Sequence, residues 1–442
     1  MKHAHSHHRE RRARLISEMR ARSGGGVAAI PTSPEAIRNA DTHYPYRPDS
    51  HFYYVSGFAE PEAAVVLVAG AESGGESRQV LFCREKNAER EIWDGFRYGP
   101  DAAREVFGFD EAYPISELTA KLTDWAADRP ALYTPLGLYP IWDQLVTDTL
   151  NEVRKRVRTG ITAPEAVVDV RAALASMRLI KDEQELSLIR RAAEISSGAH
   201  RRAMARTRAG WFEYQVEAEL THEFLRQGAQ AVAYPSIVAS GPNACVLHYR
   251  DNDRELQAND LLLIDAGCEF RGYASDITRT FPVSGKFSGP QTAIYELVLA
   301  AQLACIGAVA PGRPFHDYHE IAERVIAQGL LDLKLCEGTL DAVLETGAYK
   351  QFYMHRAGHW LGLDVHDVGL YRQEGASRTL EPGMVLTVEP GCYIRPADNV
   401  PEEFWDIGVR IEDDVLVTAT GNENLTGATP KSLADVEAAC AR

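Results

Sequence analysis

The stretch LLLIDAGCEFRGYASDITRT, Leu261 to Thr280, opens as a buried strand of four aliphatic residues and then carries Asp265, with Asp276 eleven positions on. An ionised carboxylate at the end of an apolar strand costs roughly several kcal/mol unless a cation or a strong donor meets it. The same arrangement returns later in the chain. LQANDLLLIDAGC (Leu256 to Cys268) and LEPGMVLTVEPGC (Leu380 to Cys392) share the pattern L-x-x-[NG]-x-[LV]-L-x-[IV]-[DE]-x-G-C over thirteen residues without a gap. Each copy is followed by a second acid: Asp276 after the first, and Glu412 in GVRIEDDVLVT after the second. A duplicated αβ unit with pseudo-twofold symmetry brings both pairs to its axis. One acid beside a glycine is ordinarily a turn cap, but its recurrence argues for four clustered carboxylates, and these demand cations.

Carboxylate oxygens are hard ligands suited to Mn, Mg or Ca, and an added imidazole moves the preference toward first-row transition metals. FYMHRAGHWLGLDVHDVG supplies His355, His359 and His366 within twelve residues, flanked by glycines that let backbone approach closely. Three histidines in a glycine-bearing loop make a functional candidate by density. A zincin is excluded, because H-E-x-x-H on a helix is absent: Arg356 follows His355, and HEFLR (His222) and HEIAE (His319) lack the second histidine. No G-x-S-x-G occurs and no cysteine sits in a catalytic signature, so a covalent nucleophile has no support.

Composition sets the frame. A chain of 442 residues, 45% hydrophobic, can bury a large core in two or three domains. Its formal net charge of -16 argues against a nucleic-acid partner, which needs a basic face. RERRARLISEMRAR (Arg9 to Arg22) is basic but interrupted by Glu10 and Glu18, and Leu15, Ile16 and Met19 share a helical face, so a surface helix is expected. The most apolar segment, Ile294 to Ala310, contains Glu296 and Gln302 and is short of a membrane span, so it reads as a packed helix with no membrane partner. Seven cysteines without a C-x-x-C fit a reducing cytoplasm. His3, His5, His7 and His8 read as a disordered tail or an added tag and stay outside the site.

Short strands and helices alternate up to about Ser176, an α/β pattern. A long helical run then begins at DEQELSLIRRAAEISSGAHRRAMA, with an acidic first turn suited to the helix dipole. The expected organisation is an N-terminal α/β domain over 1–176 and an α+β catalytic domain over 177–442.

These residues resemble a known family, the Xaa-Pro aminopeptidases (aminopeptidase P), dinuclear metallopeptidases of pita-bread fold. MRLIKDEQEL looks like the start of the catalytic domain, and VLHYRDN, IDAGCEFRGYASDITRTFP, HWLGLDVHDVG, LEPGMVLTVEPG and GVRIEDD look like its five site motifs. The likeness extends from RRARLISEM to GNENLT. It implies Asp265 and Asp276 on one metal, and Asp276 with His359 and Glu389 around the other, with Glu412 bridging. It also makes Glu389 a proton carrier, His366 and His248 donors to the carbonyl and the developing oxyanion, and His355 a contact for the residue after the cut. Arg410 orients the carboxylates. Asp41, Trp93 and Tyr393 are implied substrate-binding residues, Trp93 in EIWDGFRYG reaching a neighbouring subunit's cleft. Arg356 stands where the family pattern usually has a small residue.

The implied reaction is attack by a hydroxide shared between two divalent ions, manganese first, with cobalt or zinc as substitutes, releasing the first residue from peptides with proline second. A homo-oligomer, dimer or tetramer, is expected. Prolidase shares fold and ligands but cuts dipeptides, and Arg356, Arg372 and Arg378 are cations that such an enzyme needs for the dipeptide carboxylate. A catalytically inactive pita-bread binding module is the remaining alternative; degraded ligands would mark it, and none is degraded.

Overall fold

In this computed structural model, residues 6–71 and 77–441 are described; His3 and His5 lie outside them. The chain divides into two units, the first ending at Met177 and the second beginning at Arg178.

The first unit is built on a six-stranded mixed sheet in the order Glu111–Pro114, Ser77–Cys83, Ala64–Ala69, Gly26–Pro31, Ala131–Thr134, Ala166–Asp169. Its two central strands are antiparallel and buried along their whole length, as near-continuous apolar runs require. Val27, Ala29, Val66 and Val68 pack with Leu118, Leu122, Trp142, Val146 and Leu150, which come from helices Leu118–Ala126 and Pro140–Arg154.

The N-terminal helix, Ser6–Ser23, departs from the surface helix that its charge predicts. Leu15, Ile16 and Met19 are buried as their spacing demands, but so are Arg11 and Arg12. Arg12 donates to Gln79 Oε1 (2.7 Å), Val55 O (2.9 Å) and Gly108 O (2.7 Å), and its burial lowers its pKa to about 9. Protein acceptors thus replace water around the guanidinium. His7 and His8 belong to this helix rather than to a tail. His8 is buried, and its Nδ1 donates to Tyr54 O at 2.9 Å.

The second unit is α+β and carries the duplication. In the first copy, strand Leu261–Asp265 pairs antiparallel with Thr278–Pro282 and with Ile237–Ser240. In the second, Val385–Val388 pairs antiparallel with Asp413–Val417, and Gly391–Ile394 with Ile407–Arg410. Long helices back these sheets. Glu183–Arg206 starts at a capping box between Asp182 and Glu185, and Gly289–Ala308 starts at one between Ser288 and Gln291. The second helix is apolar and long enough by composition to cross a membrane, yet Ile294, Tyr295, Val298, Ala301 and Cys305 are buried in the core of this unit. The four acids of the motif pairs lie at the ends of these strands.

Candidate metal centre and cleft

Strand geometry delivers the acids. Asp265 is the last residue of its strand and pairs with Thr278, two residues beyond Asp276. On the other side the ladder runs Val388 to Asp413, so the next residues outward are Glu389 and Glu412. The two halves are tied across the axis: Thr278 Oγ1 donates to Glu412 Oε2 (2.7 Å), and Glu412 N donates to Thr278 O (3.1 Å). Asp414 accepts from Asp276 N at 3.1 Å and fixes that backbone.

His359 arrives on a loop laid along strand Val385–Val388, with Thr387 N donating to His359 O and Glu389 N to Ala357 O. The contact is close enough that a Cβ on Gly358 would stand 2.0 Å from Thr387 O, so glycine is required there. His359 Nδ1 lies 2.9 Å from Trp360 O, and a carbonyl only accepts, so Nδ1 carries a proton and Nε2 is the nitrogen turned to the acids, the one that would bind a cation after losing its own proton. Nε2 is 3.5 Å from Asp276 Oδ2 and 3.6 Å from Glu389 Oε1. Donor atoms of Asp276, His359 and Glu412 all lie within 4.8 Å of one another.

The electrostatics are those of a cluster short of positive charge. Burial, with Asp276, Glu389 and Asp265 nearby, holds Glu412 well above the usual carboxylate range. Burial, opposed by His359, pushes Glu389 up to about 7. Burial also raises Asp265, against the pull of Arg410. Asp276 is held low in spite of burial by its hydrogen bond and charge contact with His359, and the same acids raise His359 to about 9 although burial works the other way. Tyr234, which sequence reasoning missed, sets its hydroxyl between Asp265 Oδ1 (2.7 Å) and Asp276 Oδ1, one proton for two carboxylates. Its only signal was a Tyr-Pro pair just before strand Ile237–Ser240. Four carboxylates and one imidazole nitrogen, with Arg410 as the nearest guanidinium, form a donor set that fits divalent cations.

The other expected residues lie partly around the cluster and partly away from it. Arg410 donates to Asp265 Oδ2 (2.7 Å) and to Tyr393 OH (2.9 Å); Tyr393 OH lies 2.8 Å from His355 Nε2, and His355 Nδ1 lies 2.7 Å from Arg356 O. Both ring nitrogens of His355 are therefore used inside the protein. Burial and Arg410 lower its pKa to about 3, so it stays neutral. His248 and His366 line the cleft, and among the described residues neither has a hydrogen-bond partner; the His366 ring stands 4.1 Å from that of His359. The loop bearing His366 is anchored by Asp367, which accepts from buried Arg178 (2.5 Å) and Lys181 (3.0 Å). The cleft has a volume of about 900 Å³ and is walled by Ile237, Leu247, Phe315 and Tyr371 above the acids. Of the three arginines considered for a peptide carboxylate, Arg356 and Arg372 line it, whereas Arg378 is paired with Glu381 at 2.6 Å. Asp41 and Trp93 are exposed residues of the first unit, Trp93 at 82%.

Residues 187–419 match the model of metallopeptidase family M24, and residues 8–133 match that of the aminopeptidase P N-terminal domain. The chain is 45% identical to the Xaa-Pro aminopeptidase of Escherichia coli (strain K12), over 97% of this chain and 96% of that one. The solved aminopeptidase PepP of Pseudomonas aeruginosa superposes with a TM-score of 0.94 at 49% identity, covering 98% of this chain and 97% of that one. A zinc-substituted E. coli aminopeptidase P in complex with product superposes with a TM-score of 0.95 at 44% identity, covering 99% and 98%. With residues 187–419 and 8–133 matched by these two models and relatives matched over nearly its whole length, the chain belongs to metallopeptidase family M24 and carries the aminopeptidase P type of N-terminal domain.

Proposed function

We propose that this chain is a metal-dependent exopeptidase that releases the N-terminal residue from peptides with proline in second position. The observation that carries the reading is the convergence of Asp276, His359 and Glu412 donor atoms within 4.8 Å on the floor of an open cleft. Asp265, Asp276, His359, Glu389 and Glu412 are the residues that would hold two divalent ions. When bound, the ions acidify a water and draw electron density from the scissile carbonyl; we assign manganese first, with cobalt or zinc as substitutes, from the mixture of carboxylates and one imidazole.

The chain's own groups supply the rest. Proline's amide nitrogen has no hydrogen, so the pocket needs no acceptor there, and departure as a secondary amine needs a proton. Glu389, a carboxylate at the edge of the cluster facing the cleft, takes a proton from the attacking water and returns it to that nitrogen. His366 and His248, without a hydrogen-bond partner among the described residues, donate to the carbonyl oxygen as it gains charge. The chain Arg410, Tyr393, His355 holds the His355 ring against the proline side of the cut, and Arg410 also donates to Asp265. Two further assignments are part of the proposal. The seven cysteines are free and buried, which supports a reducing, cytoplasmic setting. Trp93, with Ile92 at 81% and Phe96 at 66% exposure, supports a homo-oligomer in which this segment meets a second copy, while Asp41 serves the free amine.

One substrate panel tests the reading. X-Pro-Y is expected to be cleaved with higher kcat/KM than the X-Pro dipeptide, and X-Ala-Y hardly at all. A preference for the dipeptide of about tenfold, 1.4 kcal/mol of transition-state binding, would make the enzyme a prolidase on the same ligands.

A further inference from the structure

Every carboxylate lining the cleft belongs to the metal cluster, whereas the charged lining beyond that cluster includes Arg250, Arg356 and Arg372. The chain as a whole has a formal net charge of -16, so a cleft wall of this sign is a local exception. Among the described residues, none of the three arginines has a carboxylate oxygen within 4.0 Å. Their neighbour Arg378 shows the ordinary outcome, an ion pair with Glu381. A guanidinium left without an acid on a ligand-binding wall is matched in shape to a carboxylate, which it takes through two parallel N–H donors.

The placement gives the wall a direction. Arg356 directly follows His355, and its Nη1 lies 3.4 Å from His316 Nδ1. His316 N donates to Ser377 Oγ at 3.0 Å, and Ser377 pairs with Arg372 across the short hairpin. Arg356, His316, Ser377 and Arg372 are thus one continuous stretch of the cleft wall that starts beside His355, the residue set against the proline in the reading above. A dipeptide ends at the proline; the residue after it is the first that this surface meets.

We propose that this surface, led by Arg356, recognises a carboxylate on the residue that follows proline, either the free C-terminus of a tripeptide or an acidic side chain in a longer peptide. The inference rests on the exopeptidase reading above and adds a preference within it. It makes Arg356 a specificity-determining residue.

The test measures kcat and KM of the metal-loaded full chain on paired peptides. Ala-Pro-Glu-amide against Ala-Pro-Gln-amide reads a side-chain carboxylate, and Ala-Pro-Ala against Ala-Pro-Ala-amide reads a terminal one. A preference of about fivefold, the upper end for a solvent-exposed pair, is expected in at least one comparison, carried by KM. It should fall toward parity in Arg356→Gln and invert in Arg356→Glu, and the comparison that responds names the source. Parity in both comparisons for the unaltered protein overturns the inference, as does a preference that Arg356→Glu leaves intact. Melting temperatures identify a variant that has not folded, and Arg372→Gln then carries the same test. Ala-Ala-Glu-amide separates the two readings: its cleavage as fast as Ala-Pro-Glu-amide would overturn the proline requirement, whatever the carboxylate ratios are.

Discussion

Glu412 and Asp413 are adjacent and both buried, yet they live in opposite surroundings. Asp413 accepts from Arg279 (2.7 Å), Lys431 (2.6 Å), Gln302 (2.8 Å), Asn424 (2.8 Å) and Thr426 (2.8 Å), and those cations, outweighing burial, hold it far below the usual carboxylate range. Glu412 has one donor, Thr278, and three other acids nearby, and burial with their charge holds it far above. A strand turns successive side chains to opposite faces, so one step along the chain separates a carboxylate neutralised from within from one that needs an external cation. The comparison teaches how to tell a structural buried acid from a metal-binding one: by its donors, not by its burial.

The most severe way to break the contrast is to remove a ligand on the cation-dependent side. Asp276→Ala is expected to abolish turnover and to lower bound metal, with the fold retained by circular dichroism. Chelation should do the same to the unaltered protein, and manganese should restore it best. Full activity in a preparation with less than about one ion per chain, by elemental analysis, would sink the metal assignment.

On the self-neutralised side the effect moves from activity to stability. Asp413→Asn leaves Arg279 fully buried and Lys431 nearly so without their anion, and removing one partner of a buried pair costs about 3–5 kcal/mol. Urea unfolding should show this loss with or without added metal. Equal destabilisation by Glu412→Gln in the chelated protein would erase the distinction between the two acids.

A sharper cut separates metal ligand from substrate donor. His359→Ala should lose metal, while His366→Ala should keep metal and fold but lose turnover worth about 2.7–4 kcal/mol, the value of an oxyanion donor. If both variants lose metal equally, the assignment of Nε2 of His359 to the metal and of His366 to the carbonyl fails.

Much of this was legible in the sequence. The repeat from Leu256 and from Leu380 exposed Asp265 and Glu389, because a gapless thirteen-residue match survives only where strand, turn and acid are kept together, and it pointed to Asp276 and Glu412 as the acids that follow each copy. The histidine loop stood out by density. What did not show was partnership. IEDD singled out Glu412 as the acid that follows the second copy, but the opposite surroundings of Asp413 come only with the ladder from Val385 to Val388. Arg12 and His8 look like surface residues of a basic helix, since their acceptors, Gln79 and the carbonyls of Tyr54, Val55 and Gly108, come from distant segments. Tyr234 is a single residue with no period or motif around it, and Arg378 differs from Arg356 only in having Glu381 within reach.

The smallest expected effect concerns pH, and here the two regions should act with opposite sign. A depressed carboxylate such as Asp413 stabilises the fold above its unfolded pKa and loses that contribution only in strong acid. A raised one does the reverse: Glu389 is fully compatible with the fold below about pH 4.3, its unfolded value, and becomes unfavourable as pH rises through about 7. In chelated protein, stability should therefore decline between about pH 4.5 and 7, by roughly 2 kcal/mol at about 1.4 kcal/mol per unit once the contact of Glu389 with the cleft is allowed for. Glu389→Gln should flatten that decline, because the amide stands in for the protonated acid. Glu412→Gln should raise the stability of the chelated protein by about 1–2 kcal/mol near neutral pH, the lower part of the range for replacing buried charges by neutral groups. Bound cations neutralise the same acids, so the metal-loaded protein should show no such slope in this window. Urea midpoints measured across pH with and without chelator give both curves, and a decline that persists with metal bound would place its origin outside the four-acid cluster.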